Sequence, residues 1–209
     1  MTMFTRRTAL LGMATTAVVL PSALAAQLRP TPTSSLGPFY PLVRGRDVDN
    51  DLTLVRGRRG RAAGQVIQVQ GRVVDRRGNP VSGARIEIWQ ANAVGRYAHP
   101  SDTNPLPLDP NFQGFAKFVS GSDGSYRYTT IKPGSYPDGD DSPRPPHIHL
   151  DVSGNADRLV SEMLFPGEPL NDTDDVVPEW ARSRLTAPAL GRGSDGISRF
   201  SWDVILDKG

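Results

Sequence analysis

Pro145-Pro146-His147-Ile148-His149-Leu150-Asp151-Val152 is the stretch on which the reading of this 209-residue chain turns. Side chains alternate faces along a β-strand. Ile148, Leu150 and Val152 then point one way, into a core, and His147, His149 and Asp151 point the other, away from it. The prolines stiffen the entry. A His-x-His pair on one strand face brings two imidazoles close enough to share a metal ion. The chain holds three histidines and two fall at this spacing; the plainer reading is a pair of surface histidines.

Outward from this strand the pattern is strand and turn. Residues 66–74 are β-branched and alternating, and they end at the turn signal Asp75-Arg76-Arg77-Gly78-Asn79-Pro80. Residues 84–89 alternate again. Ser122-Asp123-Gly124 opens onto Tyr126-Arg127-Tyr128-Thr129, and residues 159–165 and 199–206 read as two later strands. One short helix is predicted over 179–185, with Pro178 at a first-turn position. Pro30, Pro32, Pro38 and Pro41 make residues 26–64 an extended N-terminal arm. With 19 Pro, 21 Gly and no long stretch of period 3.6, the chain is expected to be all-β. The expected architecture over residues 65–209 is an antiparallel β-sandwich with long connecting loops.

The first 25 residues read differently. Arg6-Arg7 precede an uncharged stretch over 9–20, and Ala23 and Ala25 suit a signal peptidase. That apolar stretch is short of the ~20 residues needed to span a bilayer. Residues 1–25 are therefore expected to be a twin-arginine signal peptide, sending the folded protein to the periplasm or outside the cell. Without Arg6 and Arg7, the 24 basic residues become 22 against 22 acidic ones. That balance gives no pull toward nucleic acid or an anionic membrane. The basic cluster Arg56, Arg58, Arg59 and Arg61 reads as a solvated loop or a subunit contact. The absence of Cys excludes Cys nucleophiles, Cys-ligated zinc and iron–sulfur clusters.

Two imidazoles leave a metal under-coordinated. The further candidates are Asp, Glu, Tyr and the remaining His99, the last allowing a His-only copper or zinc site. Tyr97, in Gly95-Arg96-Tyr97-Ala98-His99, and Tyr136, in Lys132-Pro133-Gly134-Ser135-Tyr136-Pro137, both lie in turn-rich connections where functional residues concentrate. Spacing alone does not choose between them and ordinary packing residues.

Four motifs bear on that choice. They are Glu87-Ile88-Trp89-Gln90-Ala91-Asn92-Ala93-Val94-Gly95-Arg96-Tyr97, Pro107-Leu108-Asp109-Pro110-Asn111-Phe112, Thr130-Ile131-Lys132-Pro133-Gly134-Ser135-Tyr136-Pro137 and Arg144-Pro145-Pro146-His147-Ile148-His149. In this order they resemble the intradiol ring-cleavage dioxygenases, most nearly the iron-binding subunit of protocatechuate 3,4-dioxygenase. The resemblance runs from about residue 36 to the C-terminus. It implies a non-haem iron(III) enzyme that opens a catechol-type ring between its hydroxylated carbons with O2, giving a muconate-type diacid. It also implies that Tyr97, Tyr136, His147 and His149 bind Fe(3+). Tyr136 would be the ligand released when substrate binds, and Arg144 would stand beside the bound ring. A phenol of pKa ~10 becomes a good ligand only beside a strongly Lewis-acidic ion, so the residue types agree with ferric iron. The alternative for Arg144 is an ion pair with Asp140 or Asp141.

Two positions depart from the protocatechuate enzymes. Asp138 stands where they carry Trp, and Glu162 where they carry Gln. The helical N-terminal domain of the catechol 1,2-dioxygenases has no counterpart in the sequence. Protocatechuate, hydroxyquinol and lignin-derived catechols stay open as substrates, as do a homo-oligomer and a second subunit. Gly37-Pro38-Phe39-Tyr40 resembles a segment near the pocket in that family. The rival from another class is a non-catalytic binding module. Gly71-Arg72-Val73-Val74-Asp75, Gly78-Asn79-Pro80-Val81-Ser82-Gly83-Ala84 and Asp123-Gly124-Ser125-Tyr126 also resemble transthyretin-like and carboxypeptidase regulatory-like sandwiches. Those modules need neither the His-x-His strand nor the paired tyrosines.

Overall fold

The structure, a computed structural model, describes residues 27–43, 45, 47–138 and 142–209. The expected signal peptide lies outside the described residues. The chain runs through β1 (Val66–Asp75), β2 (Arg85–Trp89), β3 (Phe115–Val119), β4 (Ser125–Ile131), β5 (Tyr136–Asp138), β6 (Ser142–Arg144), β7 (His147–Ser153) and β8 (Arg158–Leu164). A 3-10 turn (Pro169–Asp172) and one helix, α1 (Glu179–Leu185), lead to β9 (Ala189–Arg192), β10 (Ser198–Ser201) and β11 (Val204–Leu206).

These strands form two sheets and a ribbon. The first sheet has the order β11-β1-β10-β9 with β4 also on β1, the second the order β3-β2-β7-β8, and β5 pairs with β6. Alternation explains the core between the sheets. Ile67, Val69 and Val73 of β1 meet Ile86 and Ile88 of β2 and Ile148, Leu150 and Val152 of β7. Each is almost fully buried, which stabilises the fold by roughly 1.5–3 kcal/mol per side chain.

The all-β sandwich is as expected, with a departure in strand direction. β1 pairs antiparallel with β4 but parallel with both β10 and β11. Only strands joined by a hairpin are forced to be antiparallel, and β10 and β11 reach β1 from the far end of the sequence. The single strand expected over 199–206 breaks at Trp202-Asp203. Trp202 N donates to Gln70 O (2.9 Å) as pairing passes from β10 to β11. A Cβ on Gly71 would stand 1.9 Å from the Trp202 carbonyl oxygen, so glycine is required at that crossing.

The short helix lies where the sequence places it, with Pro178 as its N-cap residue, one position earlier than expected. Ala181 and Leu185 face inward from it. Among the described residues, no helix is long and apolar enough to cross a membrane. Residues 27–64 carry no strand or helix among those described. This arm is laid across the sandwich by backbone hydrogen bonds: Leu28 N to Arg76 O (2.7 Å), Thr31 N to Ile205 O (2.9 Å) and Ser34 N to Val160 O (2.8 Å).

Candidate metal centre

β7 is the inner strand that carries both histidines, flanked by β2 and β8. Its apolar residues face the core as expected. The opposite face is not open to solvent: His147, His149 and Asp151 are 2%, 3% and 2% exposed. The arm and neighbouring aromatic rings cover it. Trp89, in register with His149 across β2–β7, stacks on its imidazole with ring centres 4.9 Å apart and planes 4° from parallel. Gly37 passes so close that a Cβ there would lie 3.2 Å from His149 Cε1. Phe39 packs on the rings of Tyr97 (4.7 Å) and Tyr136 (5.8 Å).

The two imidazoles face each other, Nε2 to Nε2, at 3.1 Å. His147 Nδ1 lies 2.7 Å from the carbonyl oxygen of Pro145. A carbonyl can only accept, so Nδ1 carries the proton and the neutral ring presents a lone pair at Nε2. Burial lowers the pKa of both histidines, and for His149 the neighbouring His147 lowers it further. Tyr136, which opens β5, brings its Oη to 3.4 Å from His147 Nε2. Tyr97 sets its ring edge-on to Tyr136 at 5.3 Å and 6.5 Å from the ring of His149. Its hydroxyl is buried without a well-formed hydrogen bond. Burial first, then the proximity of Tyr136, holds its pKa well above the ordinary phenol value.

Local chain geometry explains why the tyrosines meet. Asn92 Oδ1 accepts from the N–H groups of Val94 (3.0 Å) and Arg96 (2.9 Å), folding the connection after β2 into a tight loop. Gly134 N donates to Asn92 O (3.0 Å), tying this loop to the segment before β5. Gly95 has φ +80, and a Cβ there would stand 2.1 Å from Ser135 O and 3.3 Å from Tyr136 Cβ. Only a residue without a side chain permits both that φ and that approach. Asp102 Oδ2 then accepts from Tyr97 N (2.6 Å) and fixes the loop below the ring.

Arg144, paired with Tyr136 across the β5–β6 ribbon, is buried. Its guanidinium donates to Glu162 Oε2 (2.8 Å), and its Nε lies 3.1 Å from Asp174 Oδ1. Burial alone would lower its pKa, but Glu162, Tyr136 and Asp174 together raise it and keep the group charged. The ion-pair alternative from the sequence named Asp140 and Asp141, which lie outside the described residues. Glu162 stands directly across from His149 in the β7–β8 register. Its Oε2 is 3.7 Å from His147 Nε2, and its Oε1 accepts from Ser34 Oγ (3.1 Å). His147, His149 and Glu162 thus offer ligand atoms within 4.8 Å of one another.

All five site residues singled out in the sequence are brought together. His99 is not: its Nδ1 accepts from Ser101 N (3.1 Å), and it takes no part in the His147–His149–Glu162 group. In the basic cluster, Arg56 faces Asp47 (3.7 Å) and Arg61 donates to Thr53 Oγ1 (2.9 Å). Two contributors have no assigned place in the sequence reading. Glu162 is noted there as a departure without a role, although a carboxylate inside an otherwise buried strand needs a cationic partner. Asp174 stands in Asp172-Thr173-Asp174-Asp175, where nothing local marks it out.

The donor set fits a metal ion. Two imidazole nitrogens converge at 3.1 Å, one phenol oxygen is 3.4 Å away, and a second buried phenol lacks a good partner. Buried polar groups are costly in that state, and one cation among them would satisfy all four.

Comparison with known proteins agrees. The sequence pattern of the family described as Dioxygenase matches residues 36–208. The protocatechuate 3,4-dioxygenase beta chain of Burkholderia cepacia is 44% identical over 164 residues, covering 75% of this chain and 65% of that protein. A hydroxyquinol 1,2-dioxygenase of Rhizobium sp. (strain MTP-10005) is 36% identical over 127 residues, covering 54% and 42%. The chain thus spans under two thirds of the length of either relative. Among solved structures, the dioxygenase domain of a dioxygenase–carbohydrate-binding fusion from Streptomyces sp. SirexAA-E superposes with TM-score 0.66 at 26% identity, covering 87% of this chain and all of that one. The binding-module alternative finds no support in these matches. A buried His147–His149–Glu162 group with two tyrosines beside it, and a family match over most of the sequence, lead to one assignment: the chain belongs to the intradiol ring-cleavage dioxygenases.

Proposed function

We propose that this chain opens a catechol-type ring between its two hydroxylated carbons, adding both atoms of O2 to give a muconate-type diacid. Non-haem iron is the metal of the family. In this reading it is held as Fe(3+) by Tyr97, Tyr136, His147 and His149. The observation that carries the proposal is the meeting of Tyr136 Oη, His147 Nε2 and His149 Nε2 within 3.1 to 3.4 Å of their neighbours. When bound, ferric iron supplies a Lewis acid that favours the catecholate and draws electron density from its ring.

The chain's own residues do the rest. Pro145 O keeps the His147 proton on Nδ1, and the Trp89 stack fixes the plane of His149. Tyr136 sits at the end of a three-residue strand and can swing away, its Oη accepting one catechol proton. Tyr97, pinned by Asp102 and packed under Phe39, stays in place. Arg144 stabilises negative charge that grows on the ring, as an oxyanion site does. Phe39 and the rest of the arm keep water out, which strengthens each of these interactions.

Residues 1–25 form a twin-arginine signal that exports the chain, residues 26–64 an arm, and residues 65–209 the catalytic sandwich. The protein works as a homo-oligomer or beside a second subunit, as the name of its Burkholderia relative, a beta chain, suggests. Oxygen uptake by the purified protein against a panel of catechols tests the activity. Stoichiometric O2 consumption with a ring-opened diacid supports it; no uptake with any catechol by iron-loaded protein rejects it.

A further inference from the structure

We infer that the site is built for a single-ring catechol whose substituent carries no negative charge, and that it discriminates against ring carboxylates. This rests on the ring-cleavage reading above and adds the substrate class to it.

The first observation is a cavity of about 310 Å3 lined by Ser34, Ser35, Glu162, Val176, Val177 and Leu185, among others. Glu162 belongs both to this cavity and to the group formed with His147 and His149. The cavity therefore begins one side chain away from the proposed metal. Its volume is at the small end of the ~300–1,000 Å3 usual for ligand pockets, enough for one ring and a short substituent.

The second observation is charge. Among the described residues Arg144 is a cation that faces the site, and two carboxylates are already on it: Glu162 at 2.8 Å and Asp174 at 3.1 Å. Both carboxylates are fully buried, with side chains 0% exposed. One guanidinium against two carboxylates leaves these three side chains with a net charge of −1, so the Arg144 charge is already matched on the Glu162 side of the site. No Lys or Arg is among the described lining residues. Arg182, on α1, is turned away: it donates to the backbone carbonyls of Asp172, Asp174 and Val177 and lines a separate cavity. A ring carboxylate set beside Glu162 would meet a buried carboxylate and, among the described lining residues, no further cation, so its loss of hydration goes uncompensated there. A methyl, hydroxyl or amide group meets the hydroxyl of Ser35 and the side chains of Val176, Val177 and Leu185 without that penalty.

The test uses three probes without oxygen, so that binding is read and turnover is not. Isothermal titration of the iron-loaded protein gives dissociation constants for catechol, 3,4-dihydroxybenzamide and 3,4-dihydroxybenzoate. The last two have nearly the same shape and differ by one charge. The amide is expected to bind at least tenfold tighter than the carboxylate. Asp174→Asn, which removes one buried negative charge away from the metal, should shrink that ratio at least threefold, and Glu162→Gln should shrink it likewise. The wild-type ratio decides the matter even if a variant does not fold. Catechol binding together with equal or tighter carboxylate binding overturns this inference alone. Failure of catechol itself to bind overturns the ring-cleavage reading, and this inference with it.

Discussion

His147 carries two constraints at once: its Nδ1 proton is committed to Pro145 O, and its Nε2 faces His149 Nε2 and Tyr136 Oη. Substitutions around it should therefore separate holding the metal from using it. Tyr136→Phe removes a donor from the movable end of a short strand but leaves three others. Iron content should stay near one per chain while turnover falls by about 10²-fold or more, the usual weight of a lost proton acceptor. His149→Ala removes a donor that nothing nearby replaces. Metal affinity should fall by more than the ~10–100-fold typical of losing an outer partner, with elemental analysis as the readout. At this scale the sequence singled out Tyr97, Tyr136, His147, His149 and Arg144, which the fold brings near one another, because each sits in a motif long enough to be matched. It was silent on Asp174, whose partner is 30 positions away. It was also silent on what Glu162 does, because only the β7–β8 register sets that carboxylate opposite His149.

The elements position these side chains through contacts that few sequences allow. Gly95 lets the loop after β2 press against the segment before β5, and the two tyrosines meet as a result. Gly95→Ala forces a side chain into positive φ and against Ser135 O. It should cost at least ~2 kcal/mol, lowering the melting temperature by roughly 4–8 °C. Iron content should fall as well, because both phenols move; calorimetry and metal analysis check the two effects together. β1, β2, β4, β7, β8 and α1 were legible from alternation and turn residues. β5 and β6 were hidden by Pro137 and Pro143, which face each other in the ribbon and ordinarily argue against a strand. β3 and β9 do not alternate: Phe115 and Ala116 are both buried at the start of β3, and all four residues of β9 are exposed. The split between β10 and β11 depends on Gly71 meeting Trp202, a contact between residues 131 positions apart that no local pattern reveals.

Taken as a whole, the molecule is a mixed-sheet sandwich whose His147–His149 face is roofed by its own N-terminal arm. The sequence placed the arm and left its role open, since a proline-rich segment has no periodicity to say which surface it covers. Phe39 is the ring by which that roof meets the tyrosines. Phe39→Ala should cost roughly 1–3 kcal/mol, less than the ~3–5 of a fully buried phenylalanine. Oxygen uptake should suffer more than stability does, because the lost ring shields the phenols from water. Unchanged turnover would mean that the arm is only packing.

The account depends most on two phenolates and two imidazoles sharing one ferric ion, and the visible absorption spectrum of the iron-loaded protein tests that directly. Tyrosinate bound to iron(III) absorbs visible light, whereas a ferrous ion on His147, His149 and Glu162 alone would not give that band. The account predicts a coloured protein with about one iron per chain, a weakened and shifted band in Tyr136→Phe or Tyr97→Phe, and none when both are changed. A colourless iron protein, or a band that survives loss of both tyrosines, would contradict it.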